Sequence, residues 1–259
     1  MPSVNSALDE ALPLARQAVS AGAQFLFLPE YCGGLASEGA ALVPPAYEEN
    51  DHPFLASFQG FARDHSVWIM IGSIAVKGNA GKIINRGFVL DPEGRIISRY
   101  DKIHMFDVAV DDNQGAYRES ALFEPGEDIV TCDCPLGTVG LSVCYDIRFP
   151  ELYRSLFAEK VDLITVPSAF TETTGQAHFE LLMRARAVEN SCYMVAACQG
   201  GVHDSGRRTW GHSMVVDPWG RVVAELATGP GVLVCELDLQ IRDQLRRDMP
   251  FHLQQRLTS

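Results

Sequence analysis

The chain has 259 residues, 47% of them apolar, which is enough for one large core and predicts a single domain over 1–259. A formal net charge of −12 argues against a nucleic-acid or anionic-membrane partner, and seven cysteines without a dense spacing pattern predict reduced thiols rather than a disulfide framework. No run reaches the ~18 apolar residues of a membrane span and the N-terminus lacks the basic-then-apolar pattern of a secretion signal, so the expected location is the cytoplasm.

Residues 5–19 read as the first helix, capped by Asn5 or Ser6 and carrying Pro13 as an internal irregularity. Residues 25–28 then form a short apolar strand that ends at Pro29 and delivers Glu30 just beyond it. A helix over 54–64 precedes strands at 68–76 and 84–90. Asp91-Pro-Glu-Gly94 suits a type I turn joining the second strand to the next, which ends at Tyr100, Asp101, Lys102 and His104. Residues 110–115 read as a loop between Lys102 and Glu119 that borders the pocket. Cys132 and Cys134 share one face of a strand and read as structural, because no second Cys or His pair stands at zinc-site spacing.

A buried strand over 139–143 stops at Cys144, and a helix over 149–158 follows with Pro150 and Glu151 in its first turn. This is how a nucleophile is presented: a thiol on such a turn is expected to stand exposed at the sheet's edge, where positive potential favours the thiolate. Strands at 161–166, 193–197 and 214–216, with a helix at 176–190, complete an alternating α/β pattern. Residues 200–206 read as a flexible loop. Asp217-Pro-Trp-Gly220 repeats the earlier turn pattern, as expected of two related sheets packed face to face.

Alone, Glu30 and Lys102 would be solvated loop charges and Cys144 a core thiol. Together, at three strand ends, they form a set in which the carboxylate accepts the thiol proton and the ammonium stabilises thiolate and oxyanion. Leu28-Pro29-Glu30, Tyr100-Asp101-Lys102-Ile103-His104 and 144–151 (Cys-Tyr-Asp-Ile-Arg-Phe-Pro-Glu) resemble the three motifs of the nitrilase superfamily, the carbon-nitrogen hydrolases. The resemblance implies catalytic Glu30, Lys102 and Cys144, and makes Glu119, otherwise a loop charge, the family's second carboxylate. It also implies a four-layer α-β-β-α sandwich that assembles as a homodimer or larger oligomer through helices 149–158 and 176–190, with 249–253 nearby. The family's opening strand is missing ahead of the first helix.

Segments 196–199 and 210–220 are similar to the branch whose members hydrolyse deaminated glutathione, with ω-amidases acting on α-ketoglutaramate as neighbours. The implied enzyme hydrolyses a small carboxamide to acid and ammonia through a thioester, with the Tyr145 backbone N–H at the oxyanion and Phe170 lining the pocket. No metal or other cofactor is required. A substrate carboxylate would suit Arg207 or Arg208 as its anchor. The alternatives are an ω-amidase, a nitrilase or carbamoyl-amide hydrolase using the same four residues, and a non-catalytic thiol sensor or scaffold of the same fold.

Overall fold

The computed structural model describes residues 2–38, 41–111 and 116–257. Helix α1 (Val4–Ser20) begins earlier than expected because Ser3, rather than Asn5 or Ser6, is its cap. The Ser3 hydroxyl accepts the Ser6 N–H and the Ser6 hydroxyl accepts the Ser3 N–H, both at 3.2 Å, so two orphan donors are satisfied reciprocally. Pro13 sits inside α1 without ending it.

Strand β1 (Phe25–Phe27) is followed by a small ribbon, β2 (Ser37–Glu38) and β3 (Ala41–Leu42), and by helix α2 (Pro53–His65). The chain then forms β4 (Trp68–Lys77), β5 (Ile83–Leu90) and β6 (Ile96–Asp101), which with β1 make a four-stranded sheet in the order β1-β4-β5-β6. A second ribbon, β7 (Asp107–Ala109) with β8 (Ala116–Arg118), leads to β9 (Thr131–Cys134) and β10 (Gly137–Leu141). Helix α3 (Pro150–Ala158), β11 (Leu163–Thr165), helix α4 (Glu172–Asn190) and β12 (Tyr193–Ala196) come next. A third ribbon pairs β13 (Gly200–Val202) with β14 (Arg208–Trp210), and β15 (Ser213–Val216) and β16 (Val222–Leu226) close the second sheet, ordered β16-β15-β12-β11-β10-β9. Helix α5 (Leu239–Asp248) packs Leu245 inward near the C-terminus.

Both faces of the first sheet are apolar, and the two-residue period of a strand sorts its side chains. Ile69, Ile71, Phe88 and Leu90 join α1 and α2 in one cluster through Ala7, Ala15, Phe54 and Phe58. The alternate residues Met70 and Val89 join Val139, Leu141, Ile164 and Met194 of the second sheet, whose cluster continues into α3 and α4 through Leu156, Phe179 and Met183. These contacts stack helices, sheet, sheet and helices, the α-β-β-α sandwich expected from the resemblance. The two echoed turns lie one in each sheet. Asp91 Oδ1 accepts the N–H groups of Glu93 and Arg95, Asp217 Oδ1 those of Trp219 and Arg221, and Gly94 and Gly220 take φ of 76° and 84°.

No strand precedes α1 among the described residues, and β1 is an edge strand hydrogen-bonded only to β4. An open groove of about 770 Å³ runs along that edge, lined by α1 and residues 231–237. The 200–206 stretch, expected as a flexible loop, is β13 and the turn into β14. Of the loop expected at 110–115, residues 112–115 lie outside the described residues. Cys132 and Cys134 fall on β9, and all seven cysteines are free.

Candidate active site

The four residues of the expected set arrive at one place from four segments. Glu30 follows β1, Lys102 follows β6, Glu119 opens a 3-10 turn directly after β8, and Cys144 opens another after β10. They line one narrow cleft together with Tyr145 and Phe170. The close approach of the Glu30 segment to β4 needs glycine at 72, where a Cβ would collide with the carbonyl oxygens of Leu28 and Pro29.

Lys102 stands at the centre, 2% exposed, with Nζ donating to Glu119 Oε2 at 2.8 Å, Glu119 Oε1 at 2.9 Å and Glu30 Oε1 at 3.1 Å. Both carboxylates accept further hydrogen bonds. Glu30 Oε1 also accepts from Asn85 Nδ2 at 2.9 Å and its Oε2 from the Ala169 N–H at 2.8 Å. Glu119 Oε1 accepts from the Tyr31 hydroxyl at 2.7 Å and its Oε2 from the Phe106 N–H at 2.6 Å. Burial alone would lower the Lys102 ammonium, but the charges of Glu119 and Glu30 outweigh it and hold the group above the ordinary lysine value. Lys102 therefore stays a cation through the neutral range.

Cys144 departs from expectation in two respects, and the first is that it is not exposed at a sheet edge but buried at 8% exposure, lining the cleft. Burial first, then the negative charge of Glu30 and a hydrogen bond to it, raise the thiol well above its usual range, with Lys102 pulling the other way. The second departure is therefore that the positive potential of Lys102 does not prevail over burial and Glu30.

The turn that aims this thiol is held from below by Asp146. Cys144 itself adopts φ 51°, a left-handed conformation that a non-glycine residue keeps only when its surroundings fix it. Its N–H donates to the Pro167 carbonyl at 3.0 Å. Asp146, fully buried, accepts from the Val143 N–H at 2.8 Å and the Tyr100 hydroxyl at 2.7 Å through Oδ2, and from the His104 N–H at 3.0 Å through Oδ1. The His104 ring lies 2.8 Å from the same oxygen through Nδ1 and stacks on Phe149 at 3.6 Å.

Tyr145 reaches the cleft with its ring edge-on to Phe106 and Phe149, at 5.1 and 5.3 Å. Phe170 faces the cleft and also packs on Phe179 at 5.0 Å, so it serves wall and core at once. The two candidate anchors separate: Arg208 is exposed and paired with Glu172 at 2.6 Å, whereas Arg207 is buried and lines the cleft. Sequence reasoning missed Asn85, Tyr31 and Gln199, whose Nε2 donates to the Glu30 carbonyl at 3.1 Å. Asn85 left a trace as a polar residue inside an apolar strand, and Tyr31 follows Glu30 directly.

The sequence matches the family model for carbon-nitrogen hydrolases over residues 2–247. It is 39% identical to a deaminated glutathione amidase of Yersinia enterocolitica, covering 90% of this chain and 82% of that protein. It is 40% identical to the Homo sapiens deaminated glutathione amidase, covering 92% and 73%. Among solved structures, the C. elegans NitFhit protein superposes with a TM-score of 0.88 at 33% identity, and this chain spans 99% of its own length and 63% of that one. A glutamate-to-glutamine mutant of the Nesterenkonia sp. AN1 amidase, with acrylamide added at its active-site cysteine, gives a TM-score of 0.77 at 26% identity, covering 97% and 95%.

Proposed function

The chain belongs to the carbon-nitrogen hydrolase family, and from that premise we propose that it is a cysteine amidase acting on deaminated glutathione, with Glu30, Lys102, Glu119 and Cys144 as its catalytic set. The observation that carries the residue roles is the Lys102 ammonium, locked between two carboxylates in the cleft that holds Cys144.

Glu30 takes the Cys144 proton as the sulfur attacks the amide carbon, and the oxyanion forms beside Lys102 and the Tyr145 N–H, which meets no backbone acceptor among the described residues. The proton on Glu30 passes to the departing nitrogen, the C–N bond breaks, and a thioester remains. Glu30 then deprotonates water, which attacks the thioester, and the acid and free thiol are released. Glu119 holds Lys102 in place through both steps. The leaving group corrects one expectation: the γ-amide nitrogen of deaminated glutathione belongs to its cysteine residue, so cysteinylglycine departs, and ammonia departs only from a primary amide.

Kinetics on deaminated glutathione and α-ketoglutaramate test the substrate. The reading expects the higher kcat/KM for deaminated glutathione, by roughly 10- to 200-fold if a few contacts to the longer molecule decide. α-Ketoglutaramate preferred by tenfold would make the protein an ω-amidase.

A cytoplasmic enzyme organised as a single domain over 1–259 fits this reading, supported by one core cluster that draws on both sheets. No helix among the described residues is long and apolar enough to cross a membrane. The homodimer through α3 and α4 is supported by Leu181 and Val188, which α4 leaves exposed at 68% and 43%. Light scattering should report at least twice the 28.4 kDa of the chain; a species of that mass alone at micromolar concentration would refute the dimer.

A further inference from the structure

Arg207 immediately precedes β14, and burial alternates from it into the strand: Arg207 and Thr209 are each 3% exposed, whereas Arg208 between them is exposed. The strand is fixed beside the segment that carries Phe170: the Trp210 N–H donates to the Phe170 carbonyl at 2.9 Å. The same segment supplies the Ala169 N–H that holds Glu30. Arg207 is thereby delivered to the wall of the cleft that contains Cys144.

Its guanidinium is a buried cation without an anion among the described residues. Nε and Nη1 have no hydrogen-bond partner, and no ion pair among the described residues includes Arg207. The two carboxylates of the cleft are occupied with Lys102 and do not reach it. The guanidinium carbon lies 5.1 Å from the centre of the Tyr117 ring, a contact that uses none of its N–H donors. A buried guanidinium is costly to leave unpaired, and its fork of parallel donors matches a carboxylate.

We propose that Arg207 is the anion subsite of the cleft, binding a carboxylate of the substrate, so that the enzyme selects amides bearing a free carboxylate over neutral amides. The inference rests on the amidase reading for its substrate and on Arg207 alone for its selectivity.

The test compares kcat/KM for a carboxylate-bearing amide and for its methyl ester in the parent, Arg207→Met, Arg207→Lys and Arg208→Ala. In Arg207→Met the acid-over-ester ratio should fall by roughly 10²-fold, because a desolvated bidentate partner has been removed. Arg207→Lys keeps the charge but loses the fork and should lie between, which also preserves the test if the Met variant does not fold. Arg208→Ala should stay within about twofold of the parent. Acid and ester losing activity equally in both Arg207 variants, or a ratio unchanged in both, would overturn the subsite. Calorimetric titration of 2-oxoglutarate into Cys144→Ala, with and without Arg207→Met, separates this from the amidase reading. If the parent hydrolyses neither amide but Arg207→Met weakens 2-oxoglutarate at least tenfold, the amidase reading fails and the subsite stands. Equal affinity in the two proteins overturns the subsite.

Discussion

Replacing Lys102 with Met should destabilise the protein as well as silence it. Its Nζ makes three charge-assisted hydrogen bonds of 2.8 to 3.1 Å inside a site where Glu30 and Glu119 are 1% and 6% exposed. At an effective dielectric of ~20 each contact near 3 Å is worth about 5 kcal/mol before desolvation is charged against it. Removing one partner of such a buried group nets about 3–5 kcal/mol, because two carboxylates are then left together without a counter-charge. For a chain of 259 residues that corresponds to a fall in Tm of roughly 6–10 °C. Thermal unfolding followed by circular dichroism gives the number, and the double variant Lys102→Met with Glu119→Gln gives the reason. Neutralising one carboxylate should recover about half of the lost Tm, since the two substitutions share one cause. A Lys102→Met protein within 2 °C of the parent, or a double variant that falls by the sum of the singles, would refute the charge argument.

Cys144→Ala should abolish hydrolysis while costing no more than about 1.5 kcal/mol, because only one sulfur leaves the cleft floor; activity within tenfold of the parent would exclude the covalent route. Asp146→Asn should lower kcat by roughly 10²-fold with little change in KM, because the carboxylate that ties Val143, His104 and Tyr100 also sets the Cys144 turn. Equal losses in kcat and 1/KM would show that Asp146 shapes binding instead. The third expectation concerns acid. Burial pushes the His52 imidazole down to about 4, below an unfolded value of ~6.5, so the unfolded chain binds more protons between those two values. The contribution is complete above pH ~6.5 and is lost as pH falls through that window, about 2 kcal/mol between pH 7.5 and 5.0. Urea denaturation at the two pH values should show that loss in the parent and not in His52→Gln, and identical losses in both would place the acid sensitivity elsewhere.

The parts of the fold written in local pattern were legible in the sequence. Apolar runs marked β4, β5 and β12, and the Asp-Pro-x-Gly turns marked the hairpins from β5 to β6 and β15 to β16, because period and turn chemistry act within a few residues. The start of α1 was misjudged because Ser3 and Ser6 cap each other, a reciprocal pairing that single-residue preference does not show. Cys144 opens a turn after β10 as its local pattern suggests, yet its burial depends on distant segments such as those of Pro167 and Lys102, which no local window contains. Arg207 and Arg208 illustrate the same limit. Neighbours in sequence and alike in charge, they differ in burial where the chain enters β14, and only the pairing of that strand with β13 decides which one lines the cleft. Asn85 and Tyr31 were passed over because their roles exist only through partners 55 and 88 residues away.

The central claim is that Cys144 carries the acyl group, and the most direct measurement is mass spectrometry of the enzyme quenched in acid during turnover of deaminated glutathione. The account predicts a single adduct with the mass of the 2-oxoglutaryl acyl group on the peptide that contains Cys144, absent from Cys144→Ala. Product formed under single-turnover conditions with no adduct, or with the adduct on any other of the seven cysteines, would contradict it.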